Sequence, residues 1–145
     1  MGECILDVRD LRKTFTVHDR GRHIVAVDGL SFACTAGSIT ALVGPSGAGK
    51  SSVLKCIYRR YTIDGGSVVL HRADGDAVDL ATADEHQVLA VREHDIGFVT
   101  QFLHCLPRLS ALDVIAEPLR VARVPRATAH ARAAELLRAF NVPEE

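Results

Sequence analysis

The sequence predicts a mixed α/β fold, strand-rich at the front and helical at the back. Three observations carry this. Short apolar, β-branched runs punctuated by Gly and Asp recur up to residue 101. One of them, Ser38 to Val43, leads straight into a glycine-rich loop and then into a stretch with helical spacing. From Ser110 onward the chain becomes Ala-, Leu- and Arg-rich with an amphipathic period.

Taken in order, Cys4 to Val8 reads as a first strand. Ile24 to Val27 and Leu30 to Ala33 read as two more, parted by a turn at Asp28-Gly29. After the turn Ala36-Gly37, the apolar content of Ser38-Ile39-Thr40-Ala41-Leu42-Val43 predicts a buried strand. Ser51 to Tyr61 then reads as a helix, with Val53, Leu54 and Ile57 on one face. Asp64-Gly65-Gly66 reads as a turn, Val68 to Leu70 as a strand, and Ala73-Asp74-Gly75-Asp76 as a hairpin turn into Val78-Asp79-Leu80. Thr82 or Asp84 is positioned to cap a short helix reaching Arg92, and Ile96 to Thr100 reads as a compact strand ending at Gln101. Ser110-Ala111-Leu112-Asp113 resembles a capping box, opening a helix to about Ala122. Val124-Pro125 breaks it, and Thr128 to Phe140 forms a second helix with Ala133, Leu136, Leu137 and Phe140 on its apolar stripe.

Composition narrows the function classes. A chain of 145 residues is about one domain long, and 48% hydrophobic with 24% charged residues belongs to a globular protein rather than a disordered tail. A net charge of -1 argues against a nucleic-acid partner. No apolar run is long enough to cross a bilayer, and the early acid Glu3 argues against a secretory signal. Cys4, Cys34, Cys56 and Cys105 lie in no metal-ligand spacing and read as reduced thiols of a cytoplasmic protein.

The chemistry is concentrated in Gly44-Pro45-Ser46-Gly47-Ala48-Gly49-Lys50-Ser51, which matches the G-x-x-x-x-G-K-[ST] phosphate-binding loop in full, with a strand before it and a helix after it. A polyphosphate must be wrapped by backbone N–H groups at close range, so side chains are kept away at Gly44, Gly47 and Gly49. The helix N-terminus adds aligned donors. Lys50 supplies positive charge for the β- and γ-phosphates, the Ser51 hydroxyl is placed to ligand Mg²⁺, and Ser52 adds a contact to the α-phosphate. The expected cofactors are therefore ATP and Mg²⁺.

Beyond this loop the chain resembles the ABC-type ATPases. Leu11-Arg12-Lys13-Thr14-Phe15 is similar to the family's segment ending in an aromatic residue, and Ile96-Gly97-Phe98-Val99-Thr100-Gln101 to its Q-loop strand and glutamine. The resemblance implies a P-loop NTPase core with an N-terminal antiparallel β-subdomain, covering residues 1–101, and the start of a helical subdomain over 102–145. It further implies that Phe15 stacks on adenine, that Val25 lines another part of the base pocket, and that Gln101 ligands Mg²⁺ or holds the attacking water. The stretch from Gln101 to Val114, with Lys13 to His18, Ile57 to Tyr61, Val78 to Ala83 and Asn141 to Glu144, is similar to the L-subunit family of the phosphonate carbon–phosphorus lyase system. The lipoprotein-releasing exporter ATPases share a related Q-F-x-x-L-P stretch. The first resemblance implies an accessory ATPase of alkylphosphonate catabolism, partnered by a second ABC-type ATPase subunit and lyase subunits. The second implies an exporter ATPase on a membrane permease. Either would be cytoplasmic, the latter peripheral to a membrane complex.

The family's later parts, an L-S-G-G-Q-type loop, a strand ending in Asp-Glu and a switch histidine, do not occur in the 145 residues. The chain therefore reads as the front half of such a domain, able to bind nucleotide, unable to hydrolyse it alone, and poorly soluble until something covers its strand edges. His104-Cys105 lacks further ligands at suitable spacing and is read as no metal site. Arg59-Arg60 reads as a solvated helix end, with contact to a neighbouring subunit or a phosphonate intermediate as the alternative. Arg120, Arg123, Arg126, Arg132 and Arg138 read as a solvated face.

Overall fold

A computed structural model describes residues 2–17, 22–100 and 108–142. The chain divides into two compact units, Met1–Phe98 and Val99–Glu145.

The first unit is built on a four-stranded antiparallel sheet in the order β2-β1-β3-β4, with β1 at Cys4–Val17, β2 at Arg22–Thr35, β3 at Gly65–His71 and β4 at Ala77–Asp79. The two strands expected over 24–33 are one. Asp28-Gly29 is a bulge within it: Lys13 faces Val27 while Leu11 faces Leu30, so β2 carries one residue more, and Gly29 absorbs it at φ 70°. β1 likewise runs past its expected end: Val8 and Leu11 are buried, Arg9, Asp10 and Arg12 are exposed, and the buried charge of Lys13 is paired with Asp64. Gly65 and Gly66 open β3 rather than forming a free turn. A Cβ at Gly66 would collide with the carbonyl oxygens of Arg9 and Asp10, so only glycine lets the strands approach there.

Helices α1 (Lys50–Ile57) and α2 (Glu85–His94) complete this unit. Val53 and Cys56 of α1 and Val91 of α2 join Val8, Leu11, Val27, Val68, Leu70 and Leu80 in one core. Leu54, expected on the buried face of α1, is instead half exposed, and Cys56 takes its place. Asp84 caps α2 in a full capping box with Gln87. α1 ends in a Schellman motif. Arg59 takes the left-handed position at φ 58°, its N–H donates to the Cys56 carbonyl, and the Arg60 N–H donates to the Lys55 carbonyl.

Two expected strands are corrected. Residues 38–43 and 96–100 have no regular secondary structure and belong to no ladder among the described residues. Leu42 and Ile96 still pack against the core, whereas Ile39 and Val43 are 99% and 89% exposed. A β-branched apolar run becomes a strand only where a neighbouring strand pairs with it, and among the described residues no strand pairs with these two.

The second unit pairs α3 (Ala111–Val121) with α4 (Arg126–Ala139) through buried Ala116, Ala129 and Ala133. Ser110 caps α3, accepting from the Asp113 N–H at 3.1 Å. Small residues allow close helix approach, and this alters the expected stripe of α4. Ala129, Ala133 and Leu137 face inward, whereas Phe140 is 76% exposed.

Candidate functional site

The bulged β1–β2 hairpin and the glycine-rich loop enclose a cleft of about 460 Å³. Its walls are Phe15, Ile24, Val25 and Ala26 on one side and residues 46–52 on the other. Glycine is required where the two meet. Gly49 sits at φ 83°, and a Cβ there would collide with the Ala26 carbonyl oxygen. Gly47 shares that φ with open space around it, so its demand is conformational rather than steric.

The loop is donor-rich and acceptor-poor. α1 begins without a side-chain cap, and among the described residues no carbonyl takes the N–H groups of Lys50, Ser51 and Ser52. These are the orphan donors that open every helix, left free beside a cleft. The Lys50 ammonium folds back over the loop and donates to the carbonyl oxygens of Gly44 at 2.8 Å and Pro45 at 2.7 Å.

Phe15 is fixed from the far side. Its ring meets Tyr61 edge-to-face with centroids 5.0 Å apart, and the Lys13 ammonium lies 5.4 Å from its centroid. Lys13, only 6% exposed, donates to Asp64 Oδ1 at 2.8 Å and Thr62 Oγ1 at 3.0 Å, and Asp64 Oδ2 accepts the Thr14 N–H at 2.8 Å. The Lys13 hydrogen bond, then that from Thr14, holds the Asp64 carboxyl below the ordinary carboxylate range. Burial pushes the Cys56 thiol up, so this cysteine on the buried face of α1 is a packing residue.

The structure thus brings Phe15, Val25 and the predicted loop residues from Ser46 to Ser52 onto one cleft, with Gly44 and Pro45 held by Lys50. Gln101 lies outside the described residues. Sequence reasoning missed Ile24 and Ala26, and it missed the Lys13–Asp64 pair behind Phe15. Ala26 matters through its carbonyl, which no residue type announces, and Lys13 and Asp64 are too far apart in sequence for any local pattern to link them.

The ABC transporter family matches residues 27–144. A Brucella melitensis protein named as a peptide import ATP-binding protein is 39% identical over 148 aligned residues, spanning 97% of this chain and 43% of that protein. The lipoprotein-releasing system ATP-binding protein LolD of Ruegeria sp. is 37% identical, spanning 94% of this chain and 58% of LolD. The chain therefore spans about half the length of the curated relatives it matches. The dimeric ATP-binding cassette MJ0796 in a post-hydrolysis state bound to ADP and Pi superposes with a TM-score of 0.80 at 24% identity, over 97% of this chain and 59% of that one, a likeness of fold. With its antiparallel β-subdomain, its glycine-rich loop and a family match over most of its length, the chain belongs to the ABC transporter family.

Proposed function

We propose that this chain is the ATP-binding part of an ABC transporter subunit. The triphosphate lies along residues 44–52 and the base lies against Phe15 and Val25. The carrying observation is the single cleft in which a ring, an aliphatic wall and a loop of unpaired N–H groups face common space. The donor set fits a magnesium nucleotide. Unpaired amides and an ammonium suit phosphate oxygens, and the Ser51 hydroxyl, engaged by no residue described here, is free to ligand Mg²⁺. When bound, the metal neutralises phosphate charge. The chain's own residues hold the phosphates, exclude side chains from their path and seat the base. Gln101 is assigned to the metal or the attacking water, and the chain alone is expected to bind without turnover.

Pairing with a second ATPase subunit and with a membrane permease follows from this reading. A role in peptide import or lipoprotein release is supported by the names of relatives. These weigh against the phosphonate-lyase assignment, which rests on the sequence likeness around Gln101 to Val114. Localisation at the cytoplasmic face belongs to the same proposal; no helix among the described residues is long and apolar enough to cross a membrane.

Calorimetric titration of folded protein with MgATP tests the reading. Saturable uptake that is lost in Lys50→Ala supports it. No uptake by the wild-type chain, or uptake indifferent to Lys50→Ala, overturns it. Copurification with permease subunits rather than lyase subunits decides between the two partners.

A further inference from the structure

At the opposite end of α1 from the glycine-rich loop, about 12 Å away by the rise of an eight-residue helix, lies a second cavity of about 320 Å³. Arg59, Arg60 and Arg92 all line it. Among the described residues none of the three guanidinium groups is ion-paired, although Glu85 lines the same cavity. Arg60 is exposed and Arg59 and Arg92 are partly buried, yet each lies against a neighbouring ring or carbonyl. Arg92 donates from Nε to the Tyr58 carbonyl oxygen at 3.0 Å and lies 4.8 Å from the centre of the Tyr58 ring. Arg60 lies 5.2 Å from the centre of the Phe98 ring, which itself stacks on Tyr58 at 4.8 Å. Arg59 donates from one terminal nitrogen to the Ala83 carbonyl oxygen at 3.3 Å, and its Nε is buried with no acceptor.

Three cations held in place by ring stacking and carbonyls, with donor positions left over, form a preorganised site for an acceptor-rich anion. A guanidinium carries five N–H donors, and the carbonyl contacts of Arg59 and Arg92 use only part of that set, so the cavity has donors to spare for an acceptor from outside. We propose that this cavity binds a multivalent oxyanion of the phosphate class, as the free ion or as a phosphoryl group. A tetrahedral anion offers acceptors to several forks at once, whereas one carboxylate occupies only a single fork. The site is independent of nucleotide binding, since none of its lining residues belongs to the first cleft.

The test is titration of the full chain with inorganic phosphate in the presence of saturating MgADP, followed by calorimetry and thermal melting. Wild-type protein is expected to bind one phosphate and melt higher in its presence. Arg60→Gln should weaken this binding about tenfold or more. Arg59→Gly relieves a left-handed arginine, so it should melt no lower than wild type, yet lose the phosphate response. No phosphate response in wild type, or the same response in both arginine variants, overturns the proposal. So does a phosphate response that is present with saturating MgADP but abolished with saturating MgATP, which would place the ion in the glycine-rich loop. Binding of an acidic peptide but not of phosphate would also overturn it and make the cavity a protein-docking site.

Discussion

Replacing Asp64 with alanine leaves the Lys13 ammonium almost fully buried with only the Thr62 hydroxyl at 3.0 Å as a partner. Breaking one side of a buried pair costs about 3–5 kcal/mol. Here Asp64 is itself 38% exposed, so water reaches the vacated space and the cost falls to about 2–3 kcal/mol, including the lost acceptor for the Thr14 N–H. At about 3 °C per kcal/mol for a chain of this size, the melting temperature drops by about 6–9 °C. Lys13→Met is the contrasting perturbation. Its carboxylate partner can hydrate and still accepts the Thr14 N–H, so its cost is about 0–1 kcal/mol. The dependence on pH has a defined sign. The Asp64 carboxyl titrates lower in the folded than in the unfolded chain. Its contribution is therefore complete above about pH 4 and fades as the pH falls through the depressed folded value. Denaturant melts of the two variants and wild type, at neutral pH and in acid, provide the assay. If Lys13→Met proves as damaging as Asp64→Ala, or if the gap between wild type and Asp64→Ala persists undiminished in strong acid, the pair does not work as described.

Three further outcomes follow from the geometry. Gly49→Ala forces a side chain into a left-handed φ, costing about 1–2 kcal/mol, and against the Ala26 carbonyl; nucleotide titration should show binding lost while circular dichroism shows the sheet retained. Ser110→Ala removes the cap of α3, which should cost the helical unit about 1 kcal/mol and speed amide hydrogen exchange in the first turn of α3. In a Cys105→Ser background, Cys4 and Cys34 should react with a thiol reagent in the folded state, while Cys56, buried with its thiol pushed up, reacts only on unfolding.

The loop from Gly44 to Ser52 was legible because its chemistry demands particular residue types at fixed spacing, and helices α2, α3 and α4 were legible from caps and periodicity that act locally. Strand content was legible only in part. Residues 38–43 and 96–100 carry every local mark of a strand and form none among the described residues, since a strand is a relation between two segments. The opposite error occurred at Asp28-Gly29, whose turn chemistry also suits a bulge, and only the register of β1 against β2 distinguishes them. The Lys13–Asp64 bridge was invisible for the same reason as the Ala26 contact. Both depend on where the fold carries distant backbone, and residue type does not encode that. The arginines at 59 and 60 looked like ordinary surface charge until Tyr58, Phe98 and Arg92 were seen around them.

On the proposed reading, the folded-back ammonium of Lys50 makes nucleotide arrival an exchange instead of a simple addition. Its charge is already shared between two carbonyl oxygens of its own loop. An incoming polyphosphate gains only the difference between an anionic and a neutral acceptor. The binding enthalpy from this contact is expected to be correspondingly muted, and ligands too short to reach the ammonium are expected to leave the tethered conformation undisturbed.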